Sequence, residues 1–177
     1  MPKKYTLKPK TMQCPKPIAV NDNVVPCGYC AVCRQNKMQD WVTRITHEMA
    51  VSVCCYFVTL TYSDANLPLN DDGDSLLVKP DLQKFFKRLR KSFQLRYFAV
   101  GEYGTKFGRA HYHLILFAQY PIPYDAINKA WGLGFIHVGK VTPSSVAYVA
   151  KYCFISKGKY QGRSPPVRFN VQKSGTR

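Results

Sequence analysis

Two histidines at alternate positions are the residues of this 177-residue sequence that most directly indicate metal chemistry. His111 and His113 open a run that continues Leu-Ile-Leu-Phe, which predicts a β-strand. Side chains alternate across a strand, so both imidazoles are predicted on one face and Tyr112 on the other. Glu102, at the end of the preceding predicted strand, is the best candidate for a third ligand. Two imidazoles and a carboxylate would hold a divalent ion with positions left for substrate. A His-x-His pattern alone is more often a pair of polar residues at a sheet edge.

Two tyrosines one helical turn apart, Tyr148 and Tyr152, are candidate nucleophiles. They fall on a helix predicted to begin at Pro143, where residues i and i+4 share a face about 6 Å apart. A phenol can attack a phosphodiester to form a covalent phosphotyrosine, but its pKa of about 10 requires a nearby cation or a metal-polarised phosphate. Lys151 is adjacent in sequence and is a candidate for neutralising that charge. In a chain with 12 tyrosines, such a pair alone more often reflects core packing.

Four of the seven cysteines have the spacing of a metal site. Cys27, Cys30 and Cys33 form overlapping Cys-x-x-Cys pairs, and Cys14 precedes them. Four thiolates would satisfy a tetrahedral structural Zn²⁺ that ties the proline-rich N-terminal arm to the first helix. An iron–sulfur cluster and free, reduced thiols are the alternatives. The odd number and tight spacing favour a reducing cytoplasm over a disulfide framework.

The charge of the chain is strongly one-sided. Its formal net charge is +16, from 26 Lys and Arg against 10 Asp and Glu, which predicts a polyanionic partner, most commonly nucleic acid. A helix predicted from Lys79 carries Lys84, Lys87, Arg88 and Lys91 largely opposite its apolar stripe. These are candidate phosphate contacts, although a charged outer helix face is often only solvated. No apolar run is long enough for a membrane span, and no secretion signal is recognisable.

The elements that must position these residues alternate between strands and helices. The periodicity predicts a first helix over 27–50, strands over 53–62, 95–100, 111–117 and 134–141, and helices from 79, over 123–131 and over 143–156. The short connection 101–108 requires its two flanking strands to pair antiparallel. We therefore predict an α+β fold in which helices flank a central, mostly antiparallel sheet of about five strands.

Several of these segments together resemble one family, the HUH endonucleases, and within it the rolling-circle replication initiators of microviruses, especially the gokushovirus-like single-stranded DNA phages. The histidine motif is His111-Tyr-His113, the upstream strand motif is Phe57-Val-Thr-Leu-Thr-Tyr62, and the two-tyrosine motif is Tyr148-Val-Ala-Lys-Tyr152. The resemblance extends to Cys27–Arg34, Lys84–Arg90 and Gly101-Glu-Tyr-Gly104. It spans residues 14–156 in the family's order.

This resemblance implies a fold, a reaction and roles for the candidate residues. The sheet would have the RRM-like topology of HUH nucleases, and residues 51–157 would be the endonuclease core. The composition separately predicts that 1–50 holds the basic arm, the cysteine cluster and the first helix, and that 158–177 is a basic flexible tail. His111, His113 and Glu102 would bind Mg²⁺ or Mn²⁺. Tyr148 and Tyr152 would be nucleophiles, one nicking a single-stranded DNA origin and the other resolving the completed circle, each leaving a 5′-phosphotyrosine and a free 3′-hydroxyl.

The same resemblance implies the setting of the reaction. The 3′-hydroxyl would prime a host polymerase in the cytoplasm of the bacterial host, and a host helicase is expected because the sequence has no P-loop pattern. A relaxase or single-strand transposase of the same superfamily is one alternative. A noncatalytic, zinc-stabilised DNA-binding regulator is another. Metal-dependent covalent attachment to single-stranded DNA distinguishes the enzymes from the regulator.

Overall fold

An antiparallel sheet with helices on both faces forms the centre of the computed structural model, which describes residues 12–151 and 168–169. The predicted α+β fold is confirmed. In chain order the elements are β1 (Ile18–Val20), β2 (Asn23–Val25), α1 (Ala31–Ala50), β3 (Cys54–Thr61), a short 3₁₀ turn (Asp64–Asn66), α2 (Lys79–Leu89), β4 (Leu95–Tyr103), β5 (Ala110–Ala118), α3 (Tyr124–Trp131), β6 (Ile136–Lys140), α4 (Pro143–Lys151) and β7 (Arg168–Phe169).

The strand order places the histidine strand at the centre of the sheet. Across the sheet the order is β6, β3, β5, β4 and β7, and every pairing is antiparallel. The β4–β5 hairpin pairs Glu102 with His111, and β3 pairs Thr61 with His111 on the other side. A central strand has no free edge, so the positions of the two histidines are fixed from both neighbours.

The two faces of β5 pack against different helices. Tyr112, Leu114 and Leu116 lie in the apolar cluster that contains the buried side chains of α2 and α3. Ile115 and Phe117 lie in a second cluster with Ile45 of α1 and with Val146 and Val149 of α4. A strand buried on both faces has a nearly continuous apolar sequence, as β5 has. The histidines share the face that α1 and α4 cover.

Tyr112, between the two histidines, attaches the central strand to the start of α2. Its hydroxyl accepts from the backbone N of Val78 at 2.8 Å and donates to the carbonyl of the same residue at 3.0 Å. It also lies 3.0 Å from the hydroxyl of Tyr62, which donates to Asp81. Burial raises the pKa of Tyr112 to about 12. The phenol therefore holds helix and strand together as a neutral group.

The N-terminal segment contains more structure than the sequence predicted. The proline-rich arm predicted before the first helix includes the β1–β2 hairpin, whose turn residues Asn21 and Asp22 have φ values of 47° and 61°. Positive φ at both central positions is the geometry of a type I′ turn, which asparagine and aspartate tolerate. The first helix begins at Ala31 rather than Cys27, because the backbone of Cys30 is extended and its sulfur accepts the N–H of Cys33 as an N-cap.

The other boundary differences lie around the site. β4 continues to Tyr103, three residues beyond its predicted end, so Glu102 lies inside the paired strand rather than at its end. The two-residue strand β7 was not predicted. The predicted continuation of α4 from 152 to 156 lies outside the described residues, and so does all of the predicted tail except 168–169. No helix in the described part of the chain is long and apolar enough to span a membrane.

Candidate active site

Glu102, His111 and His113 meet on one face of the β4–β5 hairpin. Oε1 of Glu102 lies 2.6 Å from Nε2 of His111 and 3.0 Å from Nε2 of His113. One potential ligand atom from each residue lies within 4.8 Å of the others. Glu102 is only 4% exposed and His113 8%, so the three groups form a compact, largely buried site rather than an open surface cluster.

The second nitrogen of each imidazole has its own hydrogen-bond partner. Nδ1 of His111 lies 3.0 Å from the carbonyl of Arg109, and Nδ1 of His113 lies 3.0 Å from Oγ1 of Thr59. A carbonyl can only accept, so Nδ1 of His111 carries a proton, and the Thr59 hydroxyl can accept from His113 in the same way. Partners of this kind set the tautomer in which Nε2 has its lone pair available for a metal ion.

The pKa of His111 reflects the carboxylate beside it. Burial lowers this pKa, but the hydrogen bond and charge of Glu102 and the bond to the Arg109 carbonyl outweigh burial, and the net result is a raised pKa. A proton on Nε2 and a divalent ion would make the same favourable interaction with Glu102. The two therefore compete for this nitrogen.

The three side chains of the triad fit a divalent metal ion, and their mixture of nitrogen and oxygen ligands favours a transition-metal ion. Two imidazole nitrogens and one carboxylate oxygen suit borderline transition ions, whereas Mg²⁺ prefers an all-oxygen environment with several waters. Phe57 stacks on His113, with ring centroids 5.6 Å apart, and supports the ring from the side of β3. Of the two ions that the family resemblance implies, the residues present fit Mn²⁺ better than Mg²⁺.

Tyr148 is brought into hydrogen-bond distance of this cluster by α4. Its hydroxyl donates to Oε1 of Glu102 at 2.8 Å and lies 3.5 Å from Nε2 of His113. Thr142 and Ser145 form reciprocal side-chain to backbone bonds at the start of the helix, at 2.8 and 3.1 Å, with Pro143 in the first turn. This arrangement resembles a capping box and fixes where α4 begins, and thereby where Tyr148 lies. The Tyr148 side chain is 37% exposed and accessible to a substrate.

Of the other two candidate residues predicted on this helix, the structure describes Lys151 but not Tyr152. Lys151 is the last described residue of α4 and is exposed. Tyr152 lies outside the described residues. Its expected position beside Tyr148, one turn further along the helix, therefore stays a prediction.

The four predicted cysteines form a second cluster. The sulfur of Cys14 lies 3.6 Å from that of Cys27 and 3.9 Å from that of Cys30, and Cys27 lies 3.9 Å from Cys33. A tetrahedral ion with Zn–S bonds of about 2.3 Å places its sulfurs about 3.8 Å apart. A [4Fe–4S] cluster binds each cysteine to a different iron, which separates the sulfurs further. The spacing thus matches a single tetrahedral ion.

Backbone N–H groups support the cysteine sulfurs. Cys27 donates to Cys14, Cys30 to Cys27 and Cys33 to Cys30, each at 3.4 Å. Burial raises the pKa of Cys27, but hydrogen bonds from the backbone of Cys30 and Tyr29 outweigh it and lower this pKa to about 6. Hydrogen bonds of this kind stabilise thiolates, the form that binds metal.

The basic helix α2 lies away from the triad. Its apolar stripe packs on the face of the sheet opposite the histidines, so Lys84, Lys87 and Lys91 are exposed on the far side of the domain. Arg88 donates from Nε to the carbonyl of Ala130 at 2.7 Å and from Nη2 to that of Trp131 at 3.0 Å. It thereby satisfies the C-terminal carbonyls of α3. The four residues therefore lie on the side of the sheet opposite the triad, and Arg88 has a structural role.

Sequence reasoning missed the residues that orient the imidazoles. Thr59 was part of the upstream strand motif but received no role. Strand alternation places Thr59 on one face with Phe57 and Thr61, and pairing with β5 opposes it to His113. The signal was available once the pairing of β3 with β5 was assumed. The carbonyl of Arg109 carries no sequence signal of this kind.

The chain belongs to the replication-associated protein ORF2/G2P family, whose model matches residues 55–159. It is similar to three curated phage proteins. It is 35% identical to "Replication-associated protein ORF2" of Spiroplasma virus 4 over 75% of this chain and 48% of that protein. It is 28% identical to "Replication-associated protein ORF4" of Chlamydia phage 1 over 72% and 37%, and 30% identical to "Replication-associated protein VP4" of Bdellovibrio phage phiMH2K over 72% and 47%.

The matches cover only part of each relative's length. The chain spans about half the length of these curated relatives or less. One solved structure, the hypothetical protein ORF119 of Sulfolobus islandicus rod-shaped virus 1, is similar at a TM-score of 0.45 and 19% identity over 63% of this chain and 89% of that one. That likeness is too weak to add to the family assignment.

Proposed function

We propose that the chain is a metal-dependent tyrosine DNA endonuclease and strand transferase of the HUH type, which nicks and rejoins single-stranded DNA through a covalent 5′-phosphotyrosine. In the replication-associated family, this reaction would initiate and terminate rolling-circle replication at a single-stranded origin. The observation that carries the proposal is the hydroxyl of Tyr148, 2.8 Å from the carboxylate oxygen that also contacts His111 and His113.

The proposed chemistry is a transesterification. The Tyr148 oxygen would attack the scissile phosphorus while the bond to the 3′-oxygen breaks, which leaves a 5′-phosphotyrosine and a 3′-hydroxyl. The phenol would give up its proton to water while the departing 3′-oxygen takes one up from water, so the step has no net proton change. The hydrogen bond from the phenol to Glu102 holds Tyr148 beside the triad. Because one phosphodiester replaces another, the step needs no energy source and can be reversed to rejoin the strand.

The proposed metal site is the triad Glu102, His111 and His113. A bound Mn²⁺ or Mg²⁺ would polarise the scissile phosphate and stabilise the developing charge. The hydrogen bonds that the imidazoles make with the Arg109 carbonyl and the Thr59 hydroxyl hold the rings in one orientation. Tyr152, as the second nucleophile, would attack at the end of a replication round and resolve the circle, and Lys151 would neutralise charge on the phosphate.

The cysteine cluster is proposed as a structural Zn²⁺ site. Its four sulfurs have the separations of a tetrahedral ion, and they join Cys14, before the β1–β2 hairpin, to Cys27, Cys30 and Cys33 at the start of α1. A structural zinc ion contributes directly to folding stability. Zinc would thus tie the segment around Cys14, in the proline-rich arm, to the start of the first helix.

The remaining partners follow from the family and the chemistry. The 3′-hydroxyl would serve a host polymerase, and a host helicase would open the duplex, in the cytoplasm of the bacterial host. The net charge of +16 favours binding to DNA. Membership in a replication-associated family favours replication over the relaxase and transposase alternatives. The triad and Tyr148, in direct contact, are not explained by a noncatalytic regulator.

A denaturing gel tests the proposal. The protein would be incubated with circular single-stranded phage DNA that carries the origin, with Mn²⁺, and compared with Tyr148→Phe, Tyr152→Phe, the double variant and an EDTA sample. We expect a covalent protein–DNA adduct that the double variant and EDTA abolish, with excess Mn²⁺ restoring the EDTA sample. Tight DNA binding with no adduct in any lane would contradict the nuclease and leave a DNA-binding protein.

A further inference from the structure

An exposed aromatic side chain lies in the same cross-strand row as the metal triad. Glu102 pairs with His111, and His111 pairs with Thr61. Extending the β3–β6 register by one residue brings Phe135 opposite Thr61, whose backbone N donates to the Phe135 carbonyl at 2.9 Å. Directly paired residues share a face, and neighbouring strands are about 4.8 Å apart, so Phe135 lies about 10 Å from His111 on the triad's side.

The exposure along this row rises towards the edge of the sheet. Glu102 is 4% exposed, His111 and Thr61 are half-buried, and Phe135 is 72% exposed. The residues that follow confirm the face, because Ile136 and Val138 alternate into the apolar cluster on the opposite side. α1 and α4 cover this face over β4 and β5 but leave Phe135 accessible. A large exposed ring beside the proposed DNA-nicking site is positioned to stack on a flat, aromatic ligand.

The backbone that carries this ring is held in place. The Phe135 carbonyl accepts a second bond from Oγ1 of Thr61 at 3.1 Å. The preceding residue, Gly134, lies so close to β3 that a Cβ there would overlap the backbone of Thr61 and Ser63. A rigid platform loses little conformational freedom when a ligand stacks on it. This distinguishes Phe135 from an aromatic residue on a mobile loop.

We propose that Phe135 is a base-stacking residue for the single-stranded substrate: a nucleobase close to the scissile phosphate stacks on its ring, and the strand runs from the triad across β3 to the β6 edge. The inference rests on the proposed nicking function and assigns a substrate-positioning residue to it. Stacking accepts any base, so Phe135 sets affinity and the path of the strand rather than sequence preference. The chain's charge of +16 supplies the attraction for the phosphates.

Binding of a short fluorescent oligothymidylate, without added divalent ion, tests the platform. Alanine substitution of a stacking aromatic weakens single-strand binding about 5-fold to about 150-fold per base, and we expect Phe135→Ala to fall in this range. Phe135→Leu, which is apolar but cannot stack, should weaken binding similarly, and Phe135→Trp should retain it. The control is Tyr120→Ala, because Tyr120 is 77% exposed just beyond the opposite end of β5. It should bind as the wild type does.

The binding and adduct results test the stacking role of Phe135 and the proposed nicking function separately. Equal affinity of Phe135→Ala and wild type, with unchanged circular dichroism, would overturn the stacking role. Weaker binding by Phe135→Ala alongside a wild type that forms no DNA adduct would support the platform while the nicking proposal fails. A wild type that does not bind the oligonucleotide would refute both. Photocrosslinking with 5-iododeoxyuridine should label Phe135, and labelling confined to other residues would also overturn the assignment.

Discussion

Thr59→Val is the substitution that best tests how the site orients its imidazoles. Valine keeps the shape of threonine and removes the hydroxyl that lies 3.0 Å from Nδ1 of His113. The imidazole then loses the partner that holds Nε2 towards Glu102. The loss of such a supporting bond typically lowers metal affinity about 10-fold to 100-fold, which corresponds to about 1.4–2.7 kcal/mol.

The assay is a calorimetric titration with Mn²⁺ at neutral pH, with no DNA present. Thr61→Val is a matched control on the same strand and the same face, since its hydroxyl donates to the Phe135 carbonyl and not to a histidine. It should lose about 1 kcal/mol of stability but keep its Mn²⁺ affinity. If Thr59→Val binds Mn²⁺ as tightly as Thr61→Val does, the hydrogen bond does not orient a ligand and the reasoning is wrong.

Three further predictions concern the elements that hold the site. Because the raised pKa of Tyr112, about 12, exceeds the value of about 10 in an unfolded chain, folding stability should fall by up to about 3 kcal/mol as the pH rises from about 10 to about 12. Urea unfolding across that range should show a weaker decline in Tyr112→Phe, and an identical decline would contradict the assignment. Cys30→Ser should lose bound zinc by native mass spectrometry, whereas Cys54→Ser, outside the cluster, should keep it; equal zinc content in both would exclude the proposed site. Gly134→Ala should cost about 1–3 kcal/mol in urea unfolding, because its Cβ would overlap backbone atoms, and unchanged stability would refute that close approach.

The sequence predicted the parts of the fold that depend on local pattern. Alternation was sufficient to place His111 and His113 on one face, and the short hairpin connection was sufficient to bring Glu102 to them. The predicted end of β4 was too early because Gly101 and Glu102 interrupt the apolar pattern of the strand. In the structure, the backbone pairing with β5 continues through Tyr103. The β1–β2 hairpin was missed because three-residue strands are too short for periodicity to show.

The relation of the helices to the two faces could not be predicted. β5 is apolar on both sides, so its sequence does not say whether α2 or α4 covers the histidines. The basic residues of α2 were predicted to contact DNA phosphates, but the sequence did not show that their helix lies on the face opposite the histidines. Tyr148 reaches Glu102 only because α4 packs on the histidine side, which is a property of tertiary packing.

The central claim is that the hydroxyl of Tyr148 forms a covalent bond with DNA, and peptide mapping of the adduct tests it most directly. Wild-type protein would be incubated with origin DNA and Mn²⁺, digested with nuclease and protease, and sequenced by mass spectrometry. Tyr124→Phe, an exposed tyrosine on α3 outside the site, serves as the control for tyrosine loss. We predict a nucleotide joined through a 5′-phosphate to the peptide containing Tyr148, with this adduct absent from Tyr148→Phe and retained in Tyr124→Phe. An adduct found only on other residues, or Tyr148→Phe with unaltered initial nicking, would contradict the account.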